Sequence, residues 1–159
     1  SYHMLEGCKT AQERWGGVHV IIDRWLEQRR QLIEIWIYLR DRGEFTPTDT
    51  PKIQALCEML VDYVSAGHFT VYEQLALEAK EFDDDGASVL LRNLLPLIDG
   101  STEVAIEFND KYDTKEHCNA QLEALPFSLQ ALTLVMCDRF QYEDQLIKEL
   151  HEAHSEKNA

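Results

Sequence analysis

Apolar residues recur along this chain at alternating steps of three and four, the pattern of amphipathic helices packed lengthwise. From about residue 11 to about residue 40 the seam reads Trp15, Val18, Ile22, Trp25, Arg29, Leu32, Trp36, Leu39. Ile21, Leu26, Ile33 and Ile37 widen it, while Gly16-Gly17 weaken the first turns or let another backbone approach. After a loop over 43–51, Thr50-Pro51 supplies an N-cap and a first-turn proline for a second helix. Its face, Ile53, Leu56, Leu60, Val64, Val71 and Leu75, extends to about residue 82, and Gly67 makes it one kinked helix or two shorter ones. A third helix is predicted over 87–98, disturbed by Pro96 and closed by Asp99-Gly100-Ser101. Ser101 then caps a fourth to about 112, Asp113-Thr114 caps a fifth over 115–124, and Pro126 opens a last helix to about 151.

No Val/Ile/Thr run alternates long enough for a strand, and no internal repeat is visible. The prediction is an all-α fold with a four-helix bundle-like core and additional short helices. One helical domain spans 4–154. Residues 1–3 look like a tag remnant ahead of Met4, and 155–159 read as a frayed tail.

Charged residues interrupt these seams. The last helix runs Leu129, Leu132, Met136, Arg139, Glu143, Leu146, Leu150, with Arg139 and Glu143 on the seam as Arg29 is on the first. In the second helix Asp62 shares a face with Met59, Ala66, Phe69 and Glu73. Such charges are costly unless paired or partly wet. Two readings stay open: a buried network that fixes bundle register, or a groove between helices that receives a partner.

Composition narrows the function. The 15 Lys+Arg against 29 Asp+Glu give a net charge of −14, and 45% of residues are hydrophobic. That sustains a core but argues against nucleic acid and anionic membranes, whose affinity comes from Lys and Arg. It suits a basic protein partner. Cys8, Cys57, Cys118 and Cys137 form no CxxC pair, which points to a reducing, cytoplasmic setting. The longest uncharged stretch, 124–137, is too short to span a bilayer.

Enzyme chemistry finds little footing. No His has a Glu three residues before it, so the di-iron pattern fails. His151-Glu152-Ala153-His154 is one residue short of HExxH and reads as surface, and His117-Cys118 has no second ligand pair. Asp62, Ser65 and His68 echo a triad, but on one helix their directions fan out by about 60° per step. No catalytic residue, cofactor or metal site is assigned, and a binding protein is favoured.

The segment Asp62-Tyr63-Val64-Ser65-Ala66-Gly67-His68-Phe69 closely resembles the Asp-Tyr-x-Ser-Ala-Gly-His-Phe core of the Rsd/AlgQ, or regulator of sigma D, family. Asp23-Arg24-Trp25-Leu26 with Arg29 resembles that family's first-helix stretch. Arg139-Phe140 with Glu143-Asp144 and Leu146-Ile147 is similar to its C-terminal pattern. Pro96, Thr102 and Phe108-Asn109-Asp110 fit in order, and the text over 11–19 is nearest the pseudomonad AlgQ branch. The resemblance implies a helical bundle with a surface cavity. It also implies an anti-sigma factor that sequesters the primary sigma factor of RNA polymerase. Binding would be to the C-terminal region four, which reads the −35 promoter element and docks on the polymerase flap. The partner-binding residues it suggests, as contacts or supports, are Asp23, Arg24, Trp25, Arg29, Asp62, Tyr63, Ser65, His68, Phe69, Glu73, Arg139 and Glu143. The alternative is a helical adaptor for signalling or metabolic proteins that uses the same cavity.

Overall fold

The computed structural model describes residues 4–157, and among them only helices and the turns between them occur. Two short helices, α1 (Met4–Lys9) and α2 (Ala11–Trp15), precede the long α3 (Val20–Arg42). A 3₁₀ turn (Pro47–Asp49) leads into α4 (Thr50–Ala66), a π turn (Gly67–Val71) and α5 (Tyr72–Glu81) without a break. Then come α6 (Asp85–Tyr112), α7 (Lys115–Ala120) and α8 (Leu125–Lys157). Four long rods thus form the bundle: α3, the composite α4–α5, α6 and α8. α4 lies between α3 and α6, and α8 packs along α6. Short helices close the ends, α1 against α3 and α8 and α7 against α4 and α6.

The seam residues from Val18 to Leu39 on α3 and the preceding turn, and from Leu129 to Leu150 on α8, are all buried. Burying such stripes against one another is what stabilises helices of this length, since propensity alone contributes little. The first predicted helix is split at Gly16-Gly17. A Cβ on Gly16 would come within 2.6 Å of the Gln12 carbonyl oxygen, and Gly17 has φ +92°. The backbone turns there in a way only glycine permits without strain.

Other expectations change as well. The third and fourth predicted helices are one helix, α6. Its buried stripe Leu91, Leu94, Ile98, Ser101, Ala105, Phe108, Tyr112 runs straight through Pro96 and Gly100. Pro96 lies on the exposed side, where a missing backbone bond is solvated. Ser101 is no cap, because its hydroxyl donates back to the Ile98 carbonyl at 2.6 Å. Thr50 is also not the cap of α4. Thr46 and Asp49 form a reciprocal capping box one turn earlier, and the Thr50 hydroxyl donates to Asn119 Oδ1 at 2.7 Å. The Thr114 cap stands, its hydroxyl accepting from the His117 backbone N–H at 3.1 Å, although α7 ends at Ala120. Helix α8 continues through 155–157, while 1–3 and 158–159 lie outside the described residues. No helix among the described residues is long and apolar enough to cross a membrane.

Candidate functional site

Five of the twelve candidate residues meet in the centre of the bundle. Glu143 on α8 is fully buried and accepts four hydrogen bonds. Its Oε1 takes the Tyr63 hydroxyl at 2.6 Å and Arg29 at 3.3 Å. Its Oε2 takes the Tyr72 hydroxyl at 2.6 Å and Arg139 at 3.3 Å. That fills the acceptor capacity of a carboxylate. The arginines are satisfied in turn. Arg29 reaches Asp144 and donates to the Tyr63 oxygen at 3.0 Å. Arg139 donates to the Tyr72 oxygen at 2.7 Å and the Thr102 hydroxyl at 2.8 Å. Two arginines and two carboxylates make a neutral set.

Aromatic rings wall this network. Trp25 stacks on Tyr63 with centroids 4.9 Å apart and planes 7° off parallel, and its indole N–H donates to the Tyr63 carbonyl at 3.3 Å. Tyr72 meets Trp25 edge-on, Phe140 meets Tyr63 edge-on, and the Arg29 guanidinium lies over Phe140 at 4.8 Å. Burial works against the charges of both arginines, yet the surrounding oxygens hold Arg29 and Arg139 above the ordinary arginine value. Burial raises Asp144 above its ordinary value, with Arg29 opposing. Of the two readings of the charged seam positions, the buried network is the one observed for Arg29, Arg139 and Glu143.

Burial also pushes the Tyr63 and Tyr72 hydroxyls well above the ordinary tyrosine value, Glu143 adding to the effect and the neighbouring arginines opposing it. Unfolded tyrosines lose their protons near pH 10, whereas these keep them in the native state. Above that pH the unfolded chain binds fewer protons than the folded one, so stability falls as pH rises. The expected decline steepens above pH 10 by up to about 1.4 kcal/mol per pH unit for each tyrosine. Urea titrations from pH 8 to 11 measure it, and Tyr63→Phe with Tyr72→Phe flattens the slope. Folded-state titration of both phenols near pH 10 would contradict a closed network.

The other candidates lie outside this centre. Asp23 is structural: its carboxylate accepts from the Gly17 N–H at 2.9 Å and its carbonyl from Gln12 at 3.2 Å, which closes the turn between α2 and α3. Arg24 is exposed on α3. Asp62, His68, Phe69 and Glu73 are exposed along α4, the π turn and α5, and Ser65 is half-buried among them. Phe69 is 74% exposed, with His68 edge-on to it at 4.8 Å. Asp62, Ser65 and His68 make no hydrogen bond with one another, so the triad echo has no geometry behind it.

Beside this ridge runs a groove between α4 and α6 of about 480 Å³, lined by Gln54, Cys57, Glu58, Val61, Asp62, Asn109 and Asp113. Three carboxylates face one strip of Val61 and Cys57. Sequence reasoning missed Glu58 and Asp113, which resemble any other surface acid in a chain this acidic. It also missed Tyr72, which joins the buried network from beyond the π turn. Among the described residues no group of three or more His, Cys, Asp or Glu is placed to hold a metal ion.

Comparison with known proteins agrees with the motifs. The family described as "Regulator of RNA polymerase sigma(70) subunit, Rsd/AlgQ" matches residues 4–151. A "Regulator of sigma D" from Yersinia pseudotuberculosis serotype O:1b is 31% identical, covering 91% of this chain and 88% of its own. One from Sodalis glossinidius is 31% identical, covering 94% and 100%, and one from Yersinia enterocolitica is 28% identical, covering 91% and 89%. No solved structure matches the chain. The chain belongs to the Rsd/AlgQ family, the regulators of the RNA polymerase sigma(70) subunit.

Proposed function

We propose that this protein is an anti-sigma factor that sequesters the primary sigma factor by docking its C-terminal region four on the outer face of α4, the π turn and α5. The observation that carries this reading is a bare aromatic, Phe69, on the same composite helix as the exposed carboxylates of Asp62 and Glu73 and the groove that Val61 and Asp62 line. A promoter-reading domain is basic, and an aromatic anchor ringed by opposite charge is what such a domain would seat on. Val61 and Leu77, 36% and 54% exposed, extend the apolar strip along the same composite helix. The relatives are named for regulation of sigma D, in keeping with this partner.

The action is occupancy, not chemistry. The charged side chains of the interior saturate one another and sit away from solvent, and the exposed Asp62, Ser65 and His68 do not converge. Trp25, Arg29, Tyr63, Arg139 and Glu143 support the surface from beneath it instead of touching the partner. The site of action is the cytoplasm, where the polymerase works.

Calorimetric titration with purified region four at low and moderate salt tests the proposal. Expected is saturable one-to-one binding that weakens as salt rises, because opposed charges steer and hold the complex. Absence of binding to both region four and full-length primary sigma factor overturns it.

A further inference from the structure

Tyr63 and Tyr72 lie nine positions apart on the composite helix, and both hydroxyls bond one carboxylate, that of Glu143. On an unbroken α-helix nine positions amount to about 900°, which puts them on opposite faces. The π turn at Gly67–Val71 resolves this. It absorbs one residue without the matching rotation, so the pair sits about 80° apart, on one side of the helix. Gly67 makes room for the result. A Cβ there would stand 3.1 Å from the Tyr72 oxygen, 3.2 Å from its ring and 3.3 Å from the Arg139 guanidinium.

We propose that Tyr72 and Gly67 are positioning residues for the docking surface: the Tyr63–Glu143–Tyr72 clamp holds the π turn, and the π turn aims His68, Phe69 and Glu73. The inference rests on the sigma-docking reading above and deepens it. The turn that carries the exposed Phe69 has its own backbone pinned from below. When the clamp loosens, the wide turn relaxes toward α geometry, and residues past it rotate by about 100° relative to those before it. Phe69 then leaves the line set by Asp62 and Val61. A binding aromatic is thereby tied to a buried ion network with which it makes no contact.

The test compares Tyr72→Phe, Gly67→Ala, their combination and Phe69→Ala with a control, Thr133→Val. The control deletes bonds away from the network, that of the Trp36 indole N–H to the Thr133 hydroxyl at 3.0 Å and that of the same hydroxyl to the Leu129 carbonyl at 2.7 Å. Three quantities are read: urea midpoint, backbone hydrogen exchange over 67–72, and affinity for region four. Tyr72→Phe is expected to speed exchange over 67–72 and to weaken binding about fivefold or more, the loss of one buried hydrogen bond passed to the surface. Thr133→Val lowers the urea midpoint similarly but leaves both other readouts at wild-type values. Phe69→Ala weakens binding with exchange unchanged. In the combined variant the phenyl ring gives way more easily to the new methyl, so the double loss is smaller than the sum of the singles.

Unchanged exchange in Tyr72→Phe overturns the proposal whether or not the partner binds. Faster exchange with wild-type affinity also overturns it, while leaving the docking reading intact if Phe69→Ala weakens binding. Failure of the wild-type protein to bind at all overturns the docking reading and, with it, the aiming role given to the turn.

Discussion

Glu143→Gln is expected to destabilise the protein by about 3–5 kcal/mol, the cost of breaking a buried ion pair from one side. The side chain is as large as before, so no cavity forms and packing is not the cause. What changes is charge and lone pairs. Glu143 accepts from Tyr63, Tyr72, Arg29 and Arg139, and a glutamine offers an acceptor at one end only. Its amide N–H would point at Arg139 or Arg29, which have nothing to accept with. Asp144 pairs with Arg29, so the buried Arg139 guanidinium would lose its carboxylate and one positive charge would be left uncompensated inside. For a chain of this size the melting temperature should fall by roughly 6–20 °C. Urea and thermal unfolding measure the loss. A change below about 1 kcal/mol would mean that water reaches the site and that the network is not closed.

Phe69→Ala is expected to do the reverse, weakening binding and sparing the fold. The ring is 74% exposed and its removal takes little from the core, so stability should stay within about 0.5 kcal/mol. An aromatic anchor at an interface centre is worth about 2 kcal/mol or more, or some thirtyfold in affinity for region four. Asp62→Ala should cost less, about 0.5–1 kcal/mol, and its effect should fade as salt is raised, since it is a rim charge. The contrast separates an apolar anchor from an electrostatic rim. Wild-type affinity in both variants places the partner on another face.

Asp62 and Glu143 show how far residue patterns reach. Both carry a carboxylate on a helical stripe with apolar neighbours, and periodicity treats them alike. In the fold Glu143 is sealed among two tyrosines and two arginines, while Asp62 stands at a groove in solvent. A stripe says which residues share a face; it does not say what the face meets. The merger of two predicted helices into α6 was, by contrast, visible in advance. The 3-4 spacing from Leu91 to Tyr112 passes through Pro96 and Gly100 without a slip. Pro96 and Gly100 disfavour a helix locally, but the burial of a continuous stripe outweighs them.

Tyr72 is the opposite case. Nothing in its spacing joins it to Tyr63, because the link depends on a π turn, and a π turn has no pattern of its own in the sequence. The all-helical class, the long seams, the acidic charge and the family motifs were determined by the sequence itself, since each is a property of local spacing or composition. Which charges were buried, where the helix took its extra residue and whether Phe69 stayed bare were decided only when α4, α5 and α8 came together. Burial and hydrogen-bond saturation are properties of a three-dimensional neighbourhood, and residues as distant as Arg29, Tyr72 and Glu143 share one only after the chain has packed.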